Sequence, residues 1–341
     1  MRAIPRRARW LTAPAVVALV AGGLAGCSTE TVTPSNSFII AYAAIGATVA
    51  DPGDSVAVVA DATGKLGTPV TVGTLPSGLA LLPDGKDLLV TVKAQDELVE
   101  VDTGSGKVVK RVGVGLEPSA VAVSPDGSTA LVANFGDNSV SVVRLPGLTA
   151  GPTVHVGGQP VAVAITPDGH QALVANYQDG TLTPIALPAL AAGAPVPVGA
   201  GPVAVSVPSA TEALVADFQT SSLTPVSLPA LIPLPPIALG ANPTGIEQGP
   251  AEPIQRGGGP VTWVSGGFGI TPVTPAGGVV GQAISIGAPA QCIAVTHSGT
   301  AWVCSGAKAL VQVDLASGKV TRTVALGGIP AAVVVADVVG S

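Results

Sequence analysis

Residues equipped for chemistry are sparse in this 341-residue chain, and those that stand out recur at a nearly fixed step. Asn134-Phe135, Asn176-Tyr177 and Asp217-Phe218 are polar–aromatic pairs spaced 42 and 41 residues apart. Asp96, Glu117 and Gln159 add polar groups in the stretches before them. Aromatic rings bordered by amides and carboxylates have the make-up of a ligand-holding rim. Asp96, Glu117 and Asp217 are the acids best placed to act as a general base. A hard-cation site built from these carboxylates and Asn carbonyls is a minor alternative. The three histidines, His155, His170 and His297, fall at different points of the repeat and do not converge. No nucleophile motif, P-loop or dinucleotide fingerprint is present, and the glycine-rich "GGGP" and "SGGFG" lack the strand–helix context of a phosphate cradle. No catalytic residue, metal set or cofactor is therefore assigned. The reading favours a non-catalytic binding or scaffold module over an enzyme.

Copied scaffold would also repeat such pairs, with Asn and Asp capping strand ends and the rings packing between repeats. The elements that carry the pairs therefore matter. Gly73, Gly115, Gly157, Gly199, Gly240, Gly287 and Gly327 mark units of about 42 residues, each with an early proline such as Pro118, Pro160 or Pro289. The unit after Gly115 divides into "SAVAVS", "TALVAN", "SVSVVRL" and "PTVHVG", four short strands in which alternate residues face opposite sides. An Asp-Gly turn joins the first two, and Asp84, Asp126 and Asp168 read as turn formers there. Four strands in about 42 residues are the signature of a β-propeller blade.

Six units fit between residues 74 and 327: 74–115, 116–157, 158–199, 200–240, 241–287 and 288–327. The fifth is irregular over Ile246–Pro260, read as a protruding loop. Residues 328–341 supply one strand and 37–73 three more, so both ends share a seventh blade and close the ring without exposed edges. The expectation is one all-β, seven-bladed propeller of four-stranded antiparallel blades spanning 37–341. Successive antiparallel strands place the polar–aromatic pairs and the connections holding Asp96, Glu117, Gln159 and Asn242 on one face, at the mouth of the central channel. The Asp-Gly hairpins lie on the other face.

Composition agrees. The chain is 47% hydrophobic and only 3% aromatic, with 44 Gly and 32 Pro, which suits many short strands joined by turns. Arg2, Arg6, Arg7 and Arg9 precede an apolar run from Leu11 to Ala25, too short for a good membrane span. The run ends in "LAGC", which resembles the lipobox of bacterial lipoproteins. That resemblance implies a signal peptide over 1–26, a diacylglyceryl thioether on Cys27, and a polar tether over 27–36. The expected place is extracytoplasmic, anchored to the cell membrane. Without the four signal arginines, 11 basic residues face 21 acidic ones. No basic cluster remains to neutralise phosphates, so nucleic-acid binding is not expected. Export also favours disulfides. Cys292 and Cys304 replace the small residues Ala120 and Ala133 of the repeat, which face each other across a hairpin, so they are expected to bond.

The units "SPDGSTALVANFGDNSVSVV" and "TPDGHQALVANYQDGTLTPI" resemble the YVTN-type, or YncE-like, propeller repeat, with "LVAN" standing where "YVTN" would stand. The resemblance implies a seven-bladed, often extracytoplasmic propeller, and says little about activity, because related propellers include lactonases, lyases and binding modules. The expected partners are the membrane, through the lipid, and a protein, envelope component or small ligand at the mouth. A monomer is expected. The alternative function is a propeller-type lactonase or lyase with its site at the mouth.

Overall fold

The computed structural model describes residues 37–45, 53–249, 261–267, 269–274, 278–279 and 281–339. The expected signal peptide, Cys27 and tether lie outside the described residues, as do residues 250–260 of the irregular fifth unit. Seven antiparallel sheets form the propeller. The strands of each blade are called A to D from the axis outward. The A strands are Pro76–Leu81, Pro118–Val123, Pro160–Ile165, Pro202–Ser209, Pro243–Gln248, Ala290–Val295 and Pro330–Val339, each in contact with the A strands of the blades beside it.

Closure follows the expected scheme. Ser37–Ile45 is strand B of blade 7 and pairs along its length with Pro330–Val339, while Ser55–Ala60 follows as strand C. One detail of the repeat register differs. Ala290 faces Ser305 as Pro118 faces Asn134, so Pro289 stands one residue before its strand and does not begin it.

Small β-formers make this packing possible. All six residues of Pro118–Val123 are buried, because each blade is covered on both faces by its neighbours. Ala120, Ala122 and Leu131 of blade 2 pack on Val163, Ile165 and Val174 of blade 3. Val121, Ala130 and Val132 use the opposite face against Ala80, Leu89 and Leu98 of blade 1. Hydroxyls on the A strands reinforce the ring. Ser77 Oγ donates to the Pro118 carbonyl at 2.7 Å, Ser119 Oγ to Pro160 at 2.9 Å, and Thr244 Oγ1 to Ala290 at 2.9 Å. The closing blade is further clasped to blade 6. Asp61 Oδ1 accepts from Trp302 Nε1 at 2.6 Å and Gln312 Nε2 at 2.8 Å, and Arg322 Nη1 donates to the Asp61 carbonyl at 2.7 Å.

The outer edges are protected in two ways. Strands D of blades 1 and 6, Lys107–Gly113 and Lys319–Ala325, are continuous and carry Lys and Arg. In blades 3 and 4 the edge is cut into two-residue pieces, Ala191–Ala192 with Val196–Pro197 and Ile232–Pro233 with Ile237–Ala238. Charge and proline both discourage edge-to-edge pairing with another chain.

Candidate functional site

The chain runs outward from strand A to D and returns, so the D–A and B–C connections share the mouth face. The Asp-Gly hairpins sit on the other. There, Asp126 Oδ1 accepts from the Ser128 N–H at 3.0 Å, and Asp168 Oδ1 from the His170 N–H at 3.0 Å. The hydroxyls of Ser124 and Thr166 add the largest share of the hydrogen bonding that holds these two carboxyls below the usual carboxylate range. They are turn formers. His170 and His297 are exposed on that face, and His155 is exposed on an outer strand.

The polar halves of the three pairs are not at the surface. Asn134, Asn176 and Asp217 are all 0% exposed, which corrects the expectation that they line the mouth. Their depth comes from the D–A connection folding over the end of strand B. A Cβ on Gly115 would lie 2.5 Å from Asn134 Cγ, one on Gly157 2.6 Å from Asn176 Cγ, and one on Gly199 2.4 Å from Asp217 Cγ. These three repeat glycines are thus required by what lies beneath them. Asn134 Nδ2 donates to Ser139 and Ser141 at 2.9 and 3.0 Å, and Asn176 Nδ2 to Thr181 and Thr183 at 3.0 and 2.8 Å. In blade 4 the polarity reverses: Thr224 Oγ1 donates to Asp217 Oδ2 at 2.5 Å, while Oδ1 has no partner. Burial pushes the Asp217 carboxyl up to about 7, with the Thr224 hydroxyl and the Gly199 N–H opposing. All three residues hold the mouth loops from below.

The loops are also tied across their tops. Asp96 Oδ1 accepts from the Glu117 N–H at 2.8 Å, and Asn138 Oδ1 from the Gln159 N–H at 2.9 Å, each bond joining one blade to the next. Glu117 and Gln159 occupy the left-handed region, at φ 51° and 54°, just before the first proline of their A strands. Leu75 does the same at φ 61°. A bend shared by three blades is a feature of the ring, and its effect is to fix where Glu117 and Gln159 project.

The aromatic halves behave differently. Phe135, Tyr177 and Phe218 are half-buried at the mouth and lean on the apolar layers between blades. Gln219 Nε2 of blade 4 donates to Tyr177 Oη of blade 3 at 3.3 Å. The arc has a member absent from the sequence-derived set. Lys93 holds the place in blade 1 that Phe135 holds in blade 2, and its Nζ lies 5.8 Å from the Phe135 ring centroid. It was detectable, because 42 residues separate it from Phe135, but an aromatic–polar pattern passes over a lysine. Burial lowers the Lys93 ammonium pKa, and the Glu117 carboxylate works in the opposite direction. Lys93, Glu117, Phe135, Tyr177 and Phe218 therefore form one run over blades 1 to 4. The same place in blades 5 and 6 is Gly267 and Gly306.

Between the end of blade 1 and the outer strands of blade 2 lies a crevice of about 290 Å³ lined by Gly113, Val114, Gly115, Asp137, Ser141 and the bulged outer strand around Gly151. Among the described residues no group of three His, Cys, Asp or Glu converges. Cys292 and Cys304 face each other in the blade 6 hairpin, Cα atoms 4.9 Å apart and sulfurs bonded.

No family model matches the chain, and no curated protein matches it. Solved structures do. A functionally unknown protein from Desulfotomaculum acetoxidans DSM 771 superposes with a TM-score of 0.71 at 16% identity, over 86% of this chain and 98% of its own. A putative 6-phosphogluconolactonase from Bacteroides uniformis ATCC 8492 gives 0.69 at 15% identity, covering 88% and 100%. Virginiamycin B lyase from Staphylococcus aureus gives 0.63 at 13% identity, covering 74% and 84%. At these identities the likeness shows the fold alone. It still corrects the expectation that the chain is more a passive module than an enzyme. The architecture is shared with proteins named as a lyase and a putative lactonase, so it does not weigh against catalysis.

Proposed function

We propose that the mouth over blades 1 to 4 is an active site of the lactonase or lyase type. The observation that carries this is Lys93, a half-buried amine with a lowered pKa, beside Glu117 and above the Phe135 ring. Burial that lowers the pKa of an amine favours its neutral form, the form that can accept a proton. In lactone hydrolysis, neutral Lys93 takes a proton from the water that attacks the ring carbonyl. The acyl C–O bond then breaks, and the ammonium returns the proton to the leaving alkoxide. In a lyase reaction, Lys93 takes a C–H proton next to a carbonyl, a C=C bond forms, and the β-oxygen departs as a carboxylate. Glu117 stabilises the ammonium in either case. The names of the similar structures supply the two reaction classes.

We further read the chain as a YVTN-type repeat protein, exported and lipid-anchored through Cys27. Strand B of blade 7 begins at Ser37 on the hairpin face and ends at Ile45 on the mouth face. A tether entering at Ser37 would leave the mouth turned away from the membrane. Loss of membrane association and of lipid mass on Cys27→Ala tests the anchor.

The activity is tested by following acid release from a panel of γ-lactones, δ-lactones and cyclic ester peptides. On an accepted substrate, Lys93→Met should lower kcat/KM by about 100-fold or more, and Glu117→Gln by about 10-fold. Full turnover by Lys93→Met, or no turnover of any member by the parent protein, would sink the reading.

A further inference from the structure

We propose that the ligand of this mouth is a flat, largely apolar molecule carrying a single negative charge, such as an aromatic or conjugated carboxylate. This rests on reading the mouth as a ligand site, and it adds the chemical class of what enters.

The charge follows from how the rim's ions are used. Asp137 Oδ2 accepts from the Leu116 N–H at 3.1 Å, Asp179 Oδ2 from the Gly158 N–H at 2.6 Å, and Asp96 from Glu117 as above. These carboxylates are engaged in tying loops. Lys93 is not. The ion pairs Lys86–Asp84 and Arg111–Glu97 do not include it. A half-buried ammonium is costly, Glu117 offsets only part of that cost, and a bound anion would offset more. Glu117 sets a ceiling on the charge. Its carboxylate already acts on Lys93, so a second negative charge on the ligand would meet repulsion.

The shape follows from the arc. Phe135 carries Lys93 over its face, and Tyr177 is held toward blade 4 by Gln219. Rings in this setting offer π-faces and edges to an unsaturated body. Gly267 and Gly306 place no side chain at the equivalent positions of blades 5 and 6, so the unsaturated surface is confined to blades 2 to 4.

The test uses 8-anilinonaphthalene-1-sulfonate, a flat monoanion, with proflavine as a flat cation. Binding is read by fluorescence and calorimetry on the full protein. The sulfonate should bind. Lys93→Met and Phe135→Ala should each weaken it about 10-fold. Lys93→Arg should retain most of the affinity, which separates lost charge from lost fold. Ile232→Ser, on the exposed outer rim, should change nothing. Equal affinity for proflavine, or sulfonate affinity indifferent to both Lys93→Met and Phe135→Ala, would overturn the proposal. Sulfonate binding at the mouth without turnover of any lactone would sink the enzymatic reading and leave this one standing.

Discussion

The two halves of the mouth are built on the same strands and end differently. Over blades 1 to 4 the residue after strand B is Lys93, Phe135, Tyr177 or Phe218. Over blades 5 and 6 it is Gly267 or Gly306. Blades 5 and 6 form without a side chain there, and Gly267 takes φ 52°, a conformation that favours glycine. One residue earlier the constraint is severe, at least in blades 2 to 4. Asn134, Asn176 and Asp217 are buried, and the glycines above them have no room for a Cβ. Neighbouring positions thus divide the labour. The inner one holds the loop, and the outer one is left to meet what arrives at the mouth.

The comparison breaks most easily at the inner position. Gly157→Ala would drive a Cβ to 2.6 Å from Asn176 Cγ. Overpacking of this kind should cost about 3 kcal/mol, read as a lower denaturation midpoint at unchanged slope. Asn176→Ala in the same chain should restore part of the loss, because the two changes share one contact. A Gly157→Ala protein as stable as the parent would show that the glycine is not held by the asparagine.

A second test uses the one acid among the three buried residues. Asp217 keeps its proton in the folded state up to about pH 7, whereas an unfolded Asp loses it near pH 4. Between those values the folded state binds more protons than the unfolded one. Stability from this group therefore falls as pH rises, by at most about 1.4 kcal/mol per pH unit, and levels off above the folded pKa. Glu247, buried on strand A of blade 5 and raised to about 8 by burial, contributes with the same sign. Asp217→Asn gives blade 4 the residue of blades 2 and 3, so its melting temperature should fall less steeply from acid to neutral pH. Parallel curves for the two proteins would remove Asp217 as the source.

The smallest effect belongs to the open half. A Cβ on Gly306 would meet the Pro289 carbonyl at 3.5 Å, an ordinary contact. Gly306→Ala should change stability by less than about 1 kcal/mol. A larger loss would mean that the bare half is bare for structural reasons.

Much of the fold was legible because a propeller states its rule seven times. The glycine step, the Asp-Gly hairpins and the half-units at the two ends led to the ring and its closure. The mouth was less legible, for two physical reasons. Whether Asn134 is exposed depends on a connection arriving from the preceding blade, and strand alternation cannot report that. Lys93 shares a place with Phe135 but not a residue type, so a search for similar residues misses what a search for equivalent positions finds. The edges of blades 3 and 4 show the same limit of pattern reading. Prolines that look like turn signals there interrupt an outer strand.

The central claim is that Lys93 is an accessible amine of lowered pKa in a mouth that accepts flat anions. Trinitrobenzenesulfonate, a flat anion that arylates neutral amines, tests both parts together. Under limiting reagent at neutral pH, peptide mapping should find Lys93 modified ahead of the exposed Lys107, Lys110 and Lys319, and 8-anilinonaphthalene-1-sulfonate should protect it. Modification of Lys93 no faster than the outer lysines, and unaffected by the competing sulfonate, would contradict the account.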